Sequence, residues 1–364
     1  MARSEPLCLV KICYNSPMVC IAAFIILALV GVFVAFLSIF RRDIGKKYWT
    51  VFKKAWGCVG KKVRLQKCET NFKDDVKNTL LSRIVLKHPK WVKPLGIAIE
   101  VSAVLIVIVT IWSLVEAIKA LLAIWVFGTC NVSQPESCAL GAEVCGIEAA
   151  EPTNPLEWTG RWFSEWGEIF VNIPDRFHSW QAEDYRVDPV IYAQDFQEGK
   201  PLALDIFDPG CTVCLRSYRN QKADGFFDRF NTILIVYPIS LPDGGYKFNN
   251  SELITRYIYA AALTKQEYAA KIIERLFTES DQSGVNYQSV MQNASSEEAE
   301  KLLRSWLQDF GAKPTTIKEI SQLAGGEQVA NILNSVKNMV EDKIHAKGIP
   351  TLIYDGKKHN GIYR

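Results

Sequence analysis

The chain has 364 residues, a net charge of +3, ten cysteines and a hydrophobic share of 49%. The length suits one sizeable domain plus other segments, and the small net charge gives no global field that draws nucleic acid, so none is expected as a partner. Ten cysteines are too few for a disulfide scaffold of this size and many for a cytosolic chain.

Residues 1–17 carry only Arg3 and Lys11 as cations, and the first apolar run follows. Met18 to Phe40 holds 23 residues without a charge. A bilayer core of about 30 Å needs roughly 20 helical residues, so 18–40 reads as a transmembrane helix. A signal peptide would have a shorter apolar core and a small-residue cleavage site. Here Arg41-Arg42 follow, as a stop-transfer flank would. Residues 41–94 are rich in Lys and Arg, which places this loop in the cytoplasm beside anionic lipid and both chain ends outside. The second run, 95–127, is charge-free from Val101 to Val115. It reads as a span over about 96–116 with Glu116 at the far interface, followed by an interfacial extension to Phe127; the alternative buries the Glu116/Lys119 pair in the membrane. Trp112 and Trp125 suit the interfacial belt. The lipid bilayer is therefore an expected partner, and the expected location is a cell membrane crossed twice.

Residues 128–187 form an extracytoplasmic linker with Cys130, Cys138 and Cys145. They are candidates for structural disulfides, but three is odd. Either one thiol stays free or pairing involves Cys8 or Cys13. The alternative is a membrane-proximal pair that shuttles electrons to cysteines further along. Trp158, Trp162 and Trp166 fall on one helical stripe, expected to dock onto the next domain.

From 188 the pattern becomes that of a soluble α/β domain. Pro201–Phe207 and Asn231–Ser240 read as buried strands and Cys214–Phe230 as a helix. A helical insert covers about 250–345, with Ser295 and Glu298 as a capping box. Gly348–Tyr354 is a strand, Asp355-Gly356 a hairpin turn, and Ile362–Tyr363 the return.

The segment FDPGCTVC puts Cys211 and Cys214 at the start of a helix that follows a buried strand. Unpaired N–H groups and the helix dipole stabilise a thiolate at Cys211. Cys214 lies almost one turn further in, so the pair can close a redox-active disulfide, with Cys211 attacking and Cys214 resolving. Asp205 shares a strand face with Ala203 and Phe207; it is expected to point under the helix, where a buried acid can relay a proton for Cys214, the alternative being a partly wet acid at the strand end. A cis bond before Pro350 leaves the backbone of Ile349 free to pair with a substrate strand.

The CxxC after PLALDIFDPG, the acid six residues upstream and GIPTLIYDGK together resemble the thioredoxin superfamily. The insert before GIPT resembles its DsbA-like branch of extracytoplasmic thiol–disulfide oxidoreductases. The resemblance covers 188–364 and implies a thioredoxin-like fold with an α-helical insertion, here preceded by two transmembrane helices. It implies Cys211 as nucleophile, Cys214 as resolving thiol, Pro350 as the cis-proline and Asp205 as the buried acid, with Ile349, Thr212 and Val213 against the substrate. Expected partners are extracytoplasmic protein thiols or disulfides and a membrane redox protein that resets the dithiol. No cofactor and no metal is expected. Thr212-Val213 places no cation beside Cys211, which implies weaker oxidising power than a Pro-His pair. The family adds a last helix after the hairpin, so either the Trp-rich linker covers that sheet face or the chain is truncated. The competing expectation is a non-catalytic binding or assembly module.

Overall fold

The computed structural model describes residues 92–138 and 142–364. The run at 18–40 and the basic loop up to residue 91 lie outside the described residues. Contacts divide the chain into Met1–Ile118 and Lys119–Arg364.

Helix α1, Val92–Phe127, is unbroken over 36 residues, about 54 Å at the usual rise. Among the described residues it is the one helix long and apolar enough to cross a membrane, and the stretch that qualifies is Ile108–Phe127. The helix runs on past Glu116 to Phe127. No Gly or Pro interrupts 97–127, so nothing ends the helix at Glu116, which lies inside the apolar stretch.

In the second unit, the last turns of α1 meet α2, Pro155–Val171. Ala123, Val126 and Phe127 pack with Val132 and Ile169 as a small separate core. Lys119 Nζ bonds Glu165 at 3.0 Å and lies 5.6 Å from the Trp162 ring. Asn154 caps α2 by accepting from the N–H of Glu157. In the tryptophan stripe Trp162 and Trp166 are half-buried and Trp158 is exposed. A disulfide joins Cys130 to Cys138 in the loop before α2.

The central sheet has the order β3-β2-β5-β6. Strands β2 (Leu202–Phe207) and β3 (Asn231–Val236) run parallel. Strand β5 (Thr351–Tyr354) is antiparallel to β2, and β6 (Lys357–Asn360) antiparallel to β5. Leu204, Ile206, Ile233 and Ile235 are fully buried, as expected of strands covered on both faces. Helix α3, Thr212–Ala223, connects β2 to β3 and ends at Asp224 before Gly225 (φ 66°). The continuous helix expected to Phe230 is therefore split, leaving a short helical turn at Phe226–Arg229. The hairpin turn has Asp355 at φ 50° and Gly356 at φ 71°. Two such residues suffice to reverse the chain, so the return strand begins at Lys357 and not at Ile362.

The insert contains α4 (Ser251–Thr264), α5 (Gln266–Thr278), α6 (Tyr287–Asn293), α7 (Ser296–Asp309), α8 (Pro314–Ala324) and α9 (Glu327–Asn338). Ser295 and Glu298 form the capping box of α7. Ile254, Tyr257, Ile258 and Ala261 bury one stripe of α4. Strand β4, Gly348–Ile349, leads to β5 and pairs with a distant two-residue strand, β1, Cys145–Gly146.

Candidate active site

Strand β2 delivers the chain into Asp208-Pro209-Gly210, where it turns into α3. The N–H of Cys211 donates to the carbonyl of Asp208 at 3.1 Å. Cys211 is the N-cap, and its Sγ accepts from the N–H of Cys214 at 3.4 Å. A cap acceptor satisfies one of the four unpaired N–H groups at a helix start, so this sulfur sits where negative charge is stabilised. Gly210 must be glycine: an added Cβ would lie 2.3 Å from the Cβ of Phe248.

The cysteine pairing departs from the expected Cys211–Cys214 bond. Cys211 is bonded to Cys145, 66 residues earlier, with Cα atoms 6.2 Å apart. Cys214 is a buried free thiol. The linker therefore holds one local disulfide, and its third cysteine reaches the domain. Spacing carries no information on such a partner.

Cys145 arrives as part of an extended segment. Strand β1 runs antiparallel to β4, with Cys145 opposite Ile349 and Gly146 opposite Gly348. The N–H of Ile147 continues the ladder to the carbonyl of Lys347 at 3.0 Å. The Ile349–Pro350 bond is cis. Ile349 is fully buried, Thr212 is exposed and Val213 half-buried.

Two buried acids lie beneath α3. Asp205 faces the helix and accepts from Gln221 Nε2 at 2.8 Å. Burial outweighs that hydrogen bond and raises its pKa to about 7. Its Oδ1 has no partner, which costs less on a neutral acid than on a carboxylate. Asp208 is tied more fully. Its Oδ1 accepts from the N–H of Gly210 at 2.6 Å and the hydroxyl of Ser251 at 2.5 Å, and its Oδ2 from the N–H of Ile239 at 2.7 Å. Burial still raises its pKa to about 6. Burial pushes the Cys214 thiol well above the ordinary range, and the charges of Asp208 and Asp205 add to that. At neutral pH Cys214 is a protonated thiol, so any attack by it needs a base.

Sequence reasoning missed Asp208; the sequence does not show that Ser251 and Ile239 close on its carboxyl. It also missed Gln288 and Gln292 on α6. Gln288 Nε2 donates to the carbonyls of Pro209 (2.8 Å) and Cys211 (3.0 Å), and Gln292 donates to that of Gly210. Their i, i+4 spacing on a short helix is the only signal they give.

No protein-family model matches the chain, and no curated protein matches it. Solved structures of thiol–disulfide proteins are similar in part. The thiol-disulfide exchange protein α-DsbA2 from Wolbachia pipientis is 14% identical, with a TM-score of 0.37, over 50% of this chain and 85% of that one. The thiol-disulfide oxidoreductase MdbA from Corynebacterium diphtheriae is 13% identical, with a TM-score of 0.34, over 48% and 91%. The cytosolic disulfide reductase DsbM from Pseudomonas aeruginosa is 13% identical, with a TM-score of 0.32, over 43% and 87%. Likeness at this level carries no argument about activity; the arrangement of Cys211, Cys214, Asp205 and Pro350 has to carry it.

Proposed function

We propose that the chain is a membrane-anchored thiol–disulfide oxidoreductase that exchanges disulfides with extracytoplasmic proteins through Cys211 and Cys214. One observation carries this reading: Cys211, at a helix N-cap, holds the sulfur of an extended segment that pairs with Ile349 just before cis-Pro350. A mixed disulfide with a protein substrate needs both features, a backbone edge for the peptide and a sulfur anion at its centre. Cys211 attacks the substrate sulfur, and Cys214 resolves the product after a neighbouring acid accepts its proton. Asp205 suits that role, because a group with a pKa near 7 can both take and return a proton. Thr212, Val213 and Ile349 flank the substrate.

The apolar stretch Ile108–Phe127 supports a membrane anchor. With the basic loop in the cytoplasm, the domain faces the other side, where disulfides persist and a membrane redox partner resets the dithiol. The full chain in detergent should exchange disulfides with a dithiol peptide, and Cys211→Ser should abolish the exchange. Equal exchange by that variant ends this reading.

One feature favours the rival reading, an inert binding or assembly module: Cys211 is fully buried and already bonded. Treatment of the reduced chain with a thiol alkylator separates the two. An active Cys211 is labelled below neutral pH, and an inert one is not.

A further inference from the structure

Residues 142–148 occupy the place at β4 that a substrate peptide would take. Two glycines make room for them. A Cβ on Gly348 would lie 2.7 and 2.8 Å from the side chain of Val144, and one on Gly361, at φ 89°, would lie 2.7 Å from the Cβ of Ala142. Side chains hold the segment at its rims. Lys247 Nζ bonds the carbonyl of Gly146 (3.1 Å), Glu148 (2.7 Å) and Glu136 (2.9 Å), and Arg216 pairs with Glu143 at 2.6 Å. The Arg216–Glu143 pair is half exposed, so it holds weakly. Backbone pairing to β4 spans Cys145 to Ile147, and the N–H of Ile362 adds one bond to the carbonyl of Glu143 at 3.2 Å.

A third sulfur stands behind the bond. Cys214 follows Cys211 within the same helical turn, its N–H already donating to the Cys211 sulfur. A structural staple needs no free thiol in that position. Resting on the oxidoreductase reading, we propose that Cys145 is a third redox cysteine and that its strand is a tethered substrate held in the groove as an internal mixed disulfide. Cys214 gives up its proton and its sulfur attacks the Cys211 sulfur. The Cys145–Cys211 bond breaks and Cys211–Cys214 forms. The electron pair leaves on Cys145, which takes up a proton. The step is a disulfide exchange with no net oxidation, so it needs no other reactant. It frees the strand, opens the edge of β4 and leaves the domain with an active-site disulfide. An external protein thiol then competes with a tethered one, whose effective concentration is on the order of millimolar.

The test uses the full chain in detergent, equilibrated across a series of reduced and oxidised glutathione mixtures, then acid-quenched, alkylated and mapped. Two one-bond forms of the site should appear and interconvert: Cys145–Cys211 with free Cys214, and Cys211–Cys214 with free Cys145. Cys214→Ser should remove the second form. Persistence of Cys145–Cys211 as the sole bond until full reduction makes it an inert staple and overturns the proposal. In a second arm, Cys145→Ser should exchange with a cysteine-containing probe peptide at least about tenfold faster than the parent. If both chains exchange and the variant is no faster, the strand does not block the groove and the tethered-substrate proposal falls while the oxidoreductase reading stands. If the internal forms interconvert but neither chain exchanges with the peptide, the oxidoreductase reading falls and the internal relay stands. The mapping on the parent chain decides the proposal even where Cys145→Ser fails to fold.

Discussion

The two disulfides of the described residues differ in what surrounds them. Cys130–Cys138 closes a loop of eight residues, and the N–H of Cys130 donates to the Cys138 sulfur at 2.8 Å. No other described cysteine is part of that loop. Cys145–Cys211 spans 66 residues, sits at a helix N-cap and has Cys214 one turn away. By chain entropy the longer closure contributes more, about 4 kcal/mol against about 2.5 kcal/mol. In the proposed relay the stronger staple is also the one that exchanges. Stability gained from a bond and its chemical permanence are separate properties, and the neighbouring thiol decides the second.

The largest expected difference between the two concerns pH, because buried acids lie beside only one of them. Asp205 and Asp208 hold protons in the folded chain where the unfolded chain has released them. A raised folded pKa means the stabilising contribution is fully present below the unfolded value and is lost as pH rises. Stability should therefore fall from about pH 4 to about pH 7. Asp205→Asn should remove most of that slope and gain up to about 4 kcal/mol at pH 8, read by denaturant melts of the full chain. The same variant should slow exchange, because Asn cannot take the Cys214 proton. A melt that keeps its slope in this variant would remove Asp205 as the titrating group.

Next comes the local disulfide. Replacing Cys130 and Cys138 by Ser should cost about 2.5 kcal/mol and leave the exchange rate unchanged. A lost exchange activity would erase the contrast between the two bonds. Gly348→Ala should act on the other bond without touching a sulfur. The added methyl meets Val144, and overpacking of about 2 kcal/mol should raise Cys145 labelling by alkylators about 30-fold. The smallest effect belongs to Arg216→Ala, since an exposed pair contributes at most about 1 kcal/mol. It should raise Cys145 labelling by no more than about fivefold.

Much of the sheet was legible because its physics is local. The apolar run in LALDIF, the Asp355-Gly356 turn and the Ser295–Glu298 cap each depend on residues close in sequence. Cys211 as N-cap and Asp205 facing α3 could be read the same way. The partner of Cys211 could not, because it depends on where β1 lands, and that is fixed by long-range fit at Gly348 and Gly361. Asp208 was opaque for a similar reason: its partners Ile239 and Ser251 come from segments 31 and 43 residues away.

The most direct measurement is isotope-coded alkylation of the full chain after treatment with a catalytic trace of a dithiol, scored on the chains that keep one bond at the site. If Cys145 is the tethered substrate, its thiol is labelled first while Cys211 and Cys214 turn up joined to each other. Labelling of Cys145 and Cys211 in equal amounts, with Cys211–Cys214 never formed, would contradict the account.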